Sequence, residues 1–197
     1  MKRVFEHEKI DVGYNDLDAD TTDTGRTYTA PDGSSYPSIT TVLGVLSEDA
    51  IRAWRERVGE DEANKISGRA SNRGTRVHSI VERYLKNEDT TDNLPHIRQS
   101  LENLRPILDK SIGKIFGLEV ALYSNHLGVA GRCDCIAEFD GVPSIVDFKT
   151  SKRIKKKNKI HSYFAQAAAY AIMFEERTGM AIPCLLYTSD AADESCS

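Results

Sequence analysis

Residues 129–151 read VAGRCDCIAEFDGVPSIVDFKTS, the stretch with the clearest structural pattern in the chain. Two apolar, β-prone segments flank Asp140-Gly141, a dipeptide that favours a tight reversal, so the stretch predicts an antiparallel hairpin. Asp134 falls within the first strand, while Asp147 and Lys149 lie two positions apart on the second and leave the same face of the sheet. Charged side chains at the centre of an apolar hairpin are costly unless they are paired or bound to a metal, so they indicate a functional site.

Divalent-metal binding for phosphodiester hydrolysis is the chemistry that these residues favour. Mg²⁺ and Mn²⁺ prefer carboxylate, carbonyl and water oxygens. We therefore expect Asp134 and Asp147 to supply carboxylate oxygens and Phe148 a backbone carbonyl oxygen. Lys149 would then lie beside a water at the metal and orient or deprotonate it. An isolated D-x-K pattern is more often a surface salt bridge, so the interpretation depends on the neighbouring segments.

The segment SNRGTRVHSIVERYL, residues 71–85, predicts a helix upstream of the hairpin. Its Gly74, His78 and Glu82 follow one another at four-residue intervals and share one face. His78 can bind a metal through a ring nitrogen. A single histidine on a helix is more often structural, and a single glutamate is more often a solvated charge.

A second helix is predicted downstream, where residues 161–179 read HSYFAQAAAYAIMFEERTG. Gln166 and Tyr170 are four residues apart and share one face, with Tyr163 one turn earlier on the same side. Gln166 offers both a donor and an acceptor to phosphate, to backbone or to Lys149. The alternative is a core-packing, alanine-rich helix in which these side chains only pack, and this segment alone leaves both interpretations open.

A basic run follows the second strand of the hairpin directly. Its cations are Lys152, Arg153, Lys155, Lys156, Lys157 and Lys159. Such a run beside a metal site would attract phosphates, whereas a basic run elsewhere is more often a solvated loop.

Taken in chain order, these motifs resemble those of the PD-(D/E)xK nuclease superfamily and its RecB-type exonuclease branch. The motifs are G-x-x-x-H-x-x-x-E, then E, then G-R-x-D, then D-x-K-T, then Y-x-x-Q-x-x-x-Y. Pro37-Ser38-Ile39-Thr40 and the D-F-K-T-S of residues 147–151 resemble the exonucleases that maintain mitochondrial genomes and their phage counterparts. The resemblance covers residues 36–180. Arg132-Cys133 stands before Asp134 where the superfamily name has proline, as is usual in the RecB-type branch.

The resemblance implies an α/β fold with a central mixed β-sheet flanked by α-helices. It implies that His78, Asp134 and Asp147, with the Phe148 carbonyl, bind Mg²⁺ or Mn²⁺. The residues with an implied catalytic role are Lys149, Asp134, Asp147, Gln166 and Glu119, the last being a second-tier acid on the strand before the hairpin. The residues with an implied nucleic-acid contact are Tyr170 and the basic run.

The implied activity is that of a metal-dependent DNA exonuclease, which hydrolyses phosphodiester bonds from strand ends in replication, recombination or repair. Its partner would be DNA with a free end, and the sequence identifies no protein partner. Two alternatives remain open. One is a structure- or sequence-specific endonuclease built on the same core, and the other is a DNA-binding or recombination partner without catalysis.

An iron–sulfur cluster, which some RecB-type relatives hold, is not expected here. Cys133 and Cys135 flank Asp134 and should both point to the face opposite it, as core thiols. The other two cysteines, Cys184 and Cys196, lie in a suspect tail described next, and none of the four has the spacing of a cluster motif.

Three segments are expected along the 197-residue chain. Residues 1–24, acidic and poor in large apolar side chains, predict a loose arm. Residues 25–183 predict the nuclease domain, truncated at its C-terminus. Residues 184–197 include CLLYTSDAADE, which looks like a translated sequencing adapter and is expected to be non-native. Without the acids Asp190, Asp193 and Glu194 of this tail, the formal net charge of −4 becomes −1.

No apolar run approaches the length of a membrane span, so no membrane contact is expected. The start, MKRVFEHEKI, lacks the apolar run of a signal peptide. These features predict a protein of the bacterial cytoplasm. If a phage encodes it, the predicted location is the cytoplasm of the host.

The remaining patterns predict further elements. Residues 25–39 predict a small hairpin that turns at Asp32-Gly33 and leads into a helix. Helical patterns run through residues 51–66, 73–85 and 93–112, with Pro106 expected to kink or split the last.

Overall fold

The computed structural model describes residues 3–150 and 161–189. Within these ranges the chain forms seven strands, five α-helices and one short 3-10 helix at Val45–Ser47. In chain order the strands and α-helices are β1 (Asp18–Thr22), β2 (Gly25–Thr29), β3 (Ser35–Pro37), α1 (Ile39–Gly44), α2 (Glu48–Val58), α3 (Glu60–Leu85), α4 (Pro95–Ser111), β4 (Ile112–Ser124), β5 (Val129–Phe139), β6 (Val142–Lys149), α5 (His161–Thr178) and β7 (Cys184–Ser189).

The main sheet has the strand order β4-β5-β6-β7. Its first three strands are antiparallel, and β7 pairs with β6 in parallel, so the sheet is mixed as the sequence predicts. The predicted hairpin is β5 and β6. Asp140 and Gly141 form its turn with φ angles of 50° and 80°, and two successive left-handed residues are what a tight turn between twisted strands requires.

Helices cover both faces of this sheet and fill the core from each side. On one face, apolar side chains of α3 and α4 pack against β5 and β6, among them Val77, Ile80, Val81, Leu85, Leu101, Leu108, Val146 and Phe148. On the other face, α5 packs against β4, β5 and β6 through Ala167, Tyr170, Phe174, Leu122, Ile136 and Ile145. The predicted α/β architecture is confirmed, and it places both helices that carry sequence motifs against the hairpin.

The N-terminal segment differs from the loose arm that the sequence predicts. Three of its apolar side chains, Phe5, Val12 and Leu17, are buried. The amide of Glu8 donates to the carbonyl of Ile115 at 2.8 Å, so the segment runs along β4. Residues 18–22 then form β1, which pairs with β2 in a separate three-stranded antiparallel sheet. A few buried apolar side chains and backbone hydrogen bonds to β4 fix the segment against the main sheet.

Two helix boundaries also differ from the sequence expectation. The pattern over residues 51–66 is divided at Gly59, where a φ of 85° ends α2 and α3 begins. Helix α3 then continues without a break to Leu85. Helix α4 runs through Pro106 as one element, because Leu101, Leu104 and Leu108 anchor it to the core on both sides of the proline.

Strand β7 lies in the part of the chain that is expected to be adapter-derived. Its backbone pairs with β6 in the register Ile145↔Leu185 and Asp147↔Tyr187. The origin of these residues stays a prediction. None of the helices in the described ranges combines the length and the apolar character that crossing a lipid bilayer requires.

Candidate active site

Three strands of the main sheet and two helices contribute polar side chains to one site. These side chains are His78 on α3, Glu119 on β4, Asp134 on β5, Asp147 and Lys149 on β6, and Gln166 on α5. An open cleft of about 460 Å³ lies beside the α3 face. Its lining includes Arg26, His78, Glu82, Glu119, Arg132 and Asp134. The site therefore combines acids, one imidazole and two guanidinium groups.

His78, Glu119 and Asp134 form a tight group in the site. Each offers one ligand atom, and these atoms lie within 4.8 Å of one another. His78 Nδ1 is 3.4 Å from Asp134 Oδ1. Glu119 reaches the group because the register of β4 and β5 places it across from Asp134, at a backbone φ of 51°. One imidazole and two carboxylates suit a divalent cation such as Mn²⁺ or Mg²⁺.

Asp134 is held by the backbone of the neighbouring strand. Its Oδ2 accepts a hydrogen bond from the Phe148 amide at 2.8 Å. This bond lies just beyond the last paired residues of the hairpin, Cys135 and Val146. The ring of Phe148 meets His78 edge-on, with centroids 6.4 Å apart. Phe148 thus orients both an acid and the imidazole.

Asp147 and Lys149 on β6 and Gln166 on α5 form a second group. Lys149 Nζ lies 2.8 Å from Asp147 Oδ1 and 2.6 Å from Oδ2, but only Oδ1 has hydrogen-bond geometry. Lys149 also donates to Gln166 Oε1 at 3.3 Å, and Gln166 Nε2 donates to Asp147 Oδ1 at 3.3 Å. Asp147 Oδ2 is buried and accepts no hydrogen bond from any described residue. Its contact with the Lys149 ammonium is an ion pair.

Tyr163 and Tyr170 flank this second group from α5. The Lys149 ammonium lies 5.1 Å from the centre of the Tyr163 ring, a cation–π contact. Gln166 Nε2 donates to the Tyr170 hydroxyl at 3.3 Å. Tyr170 is only 2% exposed, and its hydroxyl is a supporting contact for Gln166. The predicted DNA contact of Tyr170 stays a prediction.

The acidic side chains raise one another's proton affinity. Burial, followed by the charge of Asp134, raises the pKa of Glu119 to about 7. Burial raises the pKa of Asp147 to about 6, against the lowering effect of the Lys149 ammonium. Burial opposes charge on His78, but the hydrogen bond and charge of Asp134 and the charges of Asp147 and Glu119 outweigh it, so the pKa of His78 is raised. A cation would relieve this accumulation of negative charge.

The structure brings together only part of the predicted set of metal ligands, which is His78, Asp134 and Asp147 with the Phe148 carbonyl. His78 and Asp134 are in the tight group, but Asp147 pairs with Lys149 instead, and Glu119 takes the third position. Glu119 and Asp134 have the same signal in the sequence, because each is an acid inside an apolar strand. Phe148 acts on the group through its amide and ring, and the role of its carbonyl stays a prediction.

Two further predictions concern residues beside the site. The cations from Lys152 to Lys159 lie outside the described residues. Cys133 and Cys135 are buried thiols, as expected. They do not share one face, however, because Cys133 packs with the α5 layer and Cys135 with the α3 and α4 layer. Glu119, whose backbone is left-handed, lies between the two β4 residues that pair with Cys133 and Cys135.

Comparison with known proteins assigns this arrangement to a family. A family model described as the PD-(D/E)XK nuclease superfamily matches residues 95–190. This part of the chain is similar to the PD-(D/E)XK nuclease superfamily. The superfamily match contains the motif side chains of β4, β5, β6 and α5, while His78 precedes it. Members of this superfamily are nucleases that use divalent metals, which fits the donor set of His78, Glu119 and Asp134.

Two curated relatives have an exonuclease name. Over 130 residues the chain is 28% identical to Mitochondrial genome maintenance exonuclease 1 of Homo sapiens, covering 60% of this chain and 38% of that protein. Over 132 residues it is 28% identical to the Mus musculus protein of the same name, covering 62% and 39%. The chain thus spans less than half the length of these relatives. The family resemblance predicted from the sequence is confirmed.

Proposed function

We propose that this nuclease is a metal-dependent DNA exonuclease that hydrolyses phosphodiester bonds from strand ends. The observation that carries the proposal is the convergence of His78, Glu119 and Asp134 beside the Asp147–Lys149 pair. Exonuclease action is supported by the names of the two relatives. A role in replication, recombination or repair of DNA is the corresponding biological setting.

The tight group is the proposed site of Mg²⁺ or Mn²⁺. His78, Glu119 and Asp134 would hold the cation, and a carboxylate oxygen of Asp147 would join them. The Phe148 carbonyl remains a further proposed oxygen donor. A divalent cation bound there supplies positive charge to phosphate oxygens and makes a nearby water more acidic.

Lys149 is the proposed catalytic residue because it combines a fixed position with three donor hydrogens. Asp147 Oδ1, Gln166 Oε1 and the Tyr163 ring surround its ammonium on the protein side. Its remaining capacity to donate can orient the attacking water or neutralise charge on the phosphate. Gln166 bridges Lys149 and Asp147, so it would keep the pair aligned.

DNA affinity is proposed to depend on cations that contact phosphates without reading sequence. The run from Lys152 to Lys159 follows the active strand in the chain and supplies several such cations. Its contribution is a proposal from the sequence.

The activity is tested with end-labelled linear DNA and covalently closed circular DNA, each single- and double-stranded, in Mg²⁺, Mn²⁺ or EDTA. We expect the linear forms to be degraded with either cation, the circles to persist, and EDTA to stop the reaction. Lys149→Ala should lower the rate by about 100-fold or more, the usual scale for losing a group that handles the proton transfer. Lys110→Ala, at an exposed lysine on α4, is the matched control and should keep the wild-type rate.

Three other outcomes would contradict parts of this proposal. Wild-type rates with Lys149→Ala would remove Lys149 from the chemistry. Cleavage of closed circles would show an endonuclease, and the lack of any cation-dependent nucleolysis would contradict the proposed function as a whole.

A further inference from the structure

Arg26 reaches the active-site cleft from outside the main sheet. It lies on β2 of the three-stranded sheet, yet it lines the same cleft as His78, Glu119 and Asp134. Its side chain is exposed, and Nε donates to Thr21 Oγ1 on β1 at 3.0 Å. A neutral hydroxyl thus orients the guanidinium, and no acid in the described residues forms an ion pair with it. Its positive charge is available to a ligand.

The backbone of Arg26 is fixed to the start of α1. Its amide donates to Thr41 Oγ1 at 3.0 Å, and its carbonyl accepts from the Ser38 amide at 2.7 Å. Ser38 also caps α1 by accepting from the Thr40 amide. The P-S-I-T segment, which the proposed chemistry leaves without a role, therefore holds Arg26 in place.

Gly25 makes this close approach possible. A Cβ at position 25 would lie 2.3 Å from Thr41 Cγ2, and the φ of 131° is one that other residues rarely adopt. Only glycine lets β2 come this near to α1. The position of Arg26 beside the cleft is thus built into the strand and the helix start.

Arg132, the other arginine of the cleft, has a different environment. Its Nη1 donates to the Glu119 carbonyl at 2.6 Å, and its Nη2 lies 2.6 Å from Asp16 Oδ1. Arg132 therefore joins β4, β5 and the N-terminal segment, and a carboxylate already balances its charge. Of the two cleft arginines, Arg26 is the one that can receive an anion.

A phosphodiester entering this cleft meets several acids. Glu82, Glu119 and Asp134 all line it, and an anionic substrate needs a compensating cation to approach them. A guanidinium matches the geometry of phosphate oxygens and stays charged at all relevant pH values. We propose that Arg26 binds a phosphate of the DNA strand at the active site, so that the three-stranded sheet forms one wall of the substrate path. The identity of the substrate rests on the proposed function.

The test compares wild type, Arg26→Ala and Arg26→Lys, with Arg98→Ala as a control. Arg98 is an exposed arginine on α4, away from the cleft, so its loss changes the net charge equally. Binding of a fluorescein-labelled oligonucleotide is measured by anisotropy in Ca²⁺ over a range of KCl concentrations. Mn²⁺ binding is measured separately by thermal shift.

We expect Arg26→Ala to weaken oligonucleotide binding roughly tenfold, as for a lost hydrogen bond to a charged group. The slope of log affinity against log salt should fall by about one, because one phosphate contact is lost. Arg26→Lys should recover part of the affinity, and Arg98→Ala should behave as wild type. The Mn²⁺ shift should be unchanged in all variants, and the rise in KM for Arg26→Ala should exceed the fall in kcat.

Wild-type affinity and salt slope in Arg26→Ala, or an equal loss in Arg98→Ala, would overturn the inference while leaving the nuclease activity standing. A wild-type protein that binds DNA through Arg26 but never degrades it would instead overturn the proposed function and keep the phosphate site.

Discussion

Glu119 holds a proton near neutral pH because of its surroundings. Burial and the charges of Asp134 and Glu82 raise its pKa to about 7, whereas in the unfolded chain a glutamate titrates near about 4.3. The folded pKa is the higher one, so the folded state binds the proton more tightly. The contribution of Glu119 to stability is therefore favourable at low pH and is lost as the pH rises from about 4 through 7. A bound cation replaces the proton and reverses this loss.

Glu119→Gln removes this titrating carboxyl group. In metal-free buffer at about pH 8 the variant should melt about 2–4 °C above wild type, the shift for about 1 kcal/mol once partial exposure of the side chain is allowed for. Mn²⁺ should raise the melting temperature of wild type more at about pH 8 than at about pH 6, and that of Glu119→Gln little at either. Thermal melts with and without Mn²⁺ at both pH values measure this. An equal Mn²⁺ shift in both proteins would show that Glu119 is no ligand.

The motif residues themselves were predictable from the sequence, and their grouping was not. Acids and a lysine inside apolar strands stand out against the cost of burying charge, which identified Asp134, Asp147 and Lys149. The choice of Glu119 over Asp147 as the third member depends on the register between β4 and β5. Arg26 was missed because its approach to the cleft depends on contacts with α1.

The hairpin and α5 form the element on which the site depends. Tyr170 fills the space above Gly131, where a Cβ would lie 2.8 Å from Tyr170 Cε1 and 3.0 Å from its hydroxyl. The glycine of the G-R-x-D motif therefore lets α5 settle on β5, and this brings Gln166 to Asp147 and Lys149. Spacing in the sequence identified this helix and its shared face, but not the glycine that it packs on.

Gly131→Ala tests this packing. The added methyl group must displace a buried aromatic ring, so we expect a loss of about 1–3 kcal/mol of unfolding free energy, the usual cost of overpacking a core. Gly68→Ala is the matched control, since position 68 on α3 has no atom within 4 Å of the added Cβ. There the change should stabilise the helix by about 0.5–1 kcal/mol. Urea denaturation measures the free energy of unfolding of both variants. Equal stability of the two would refute the proposed contact.

At the scale of the whole molecule, the site exists only because distant segments meet. The mixed sheet and its flanking helices were predictable, since the hydrophobic patterns of the hairpin, α3 and α5 are strong. The ordered segment from residue 3 to residue 24 was not predictable, because its sparse apolar side chains find partners only on β4 and the core. The continuity of α4 through Pro106 likewise depends on tertiary packing that local propensity does not contain.

The proposed site of one divalent cation is formed by side chains from α3, β4 and β5. Its most direct test is a titration with Mn²⁺, followed by electron paramagnetic resonance of the free ion, on folded wild type, His78→Ala and Asp134→Asn. We predict that each substitution weakens Mn²⁺ binding by about tenfold or more, as for disruption of a metal site, while Asp61→Asn at the start of α3 leaves it unchanged. Wild-type Mn²⁺ affinity in both His78→Ala and Asp134→Asn would contradict the claim.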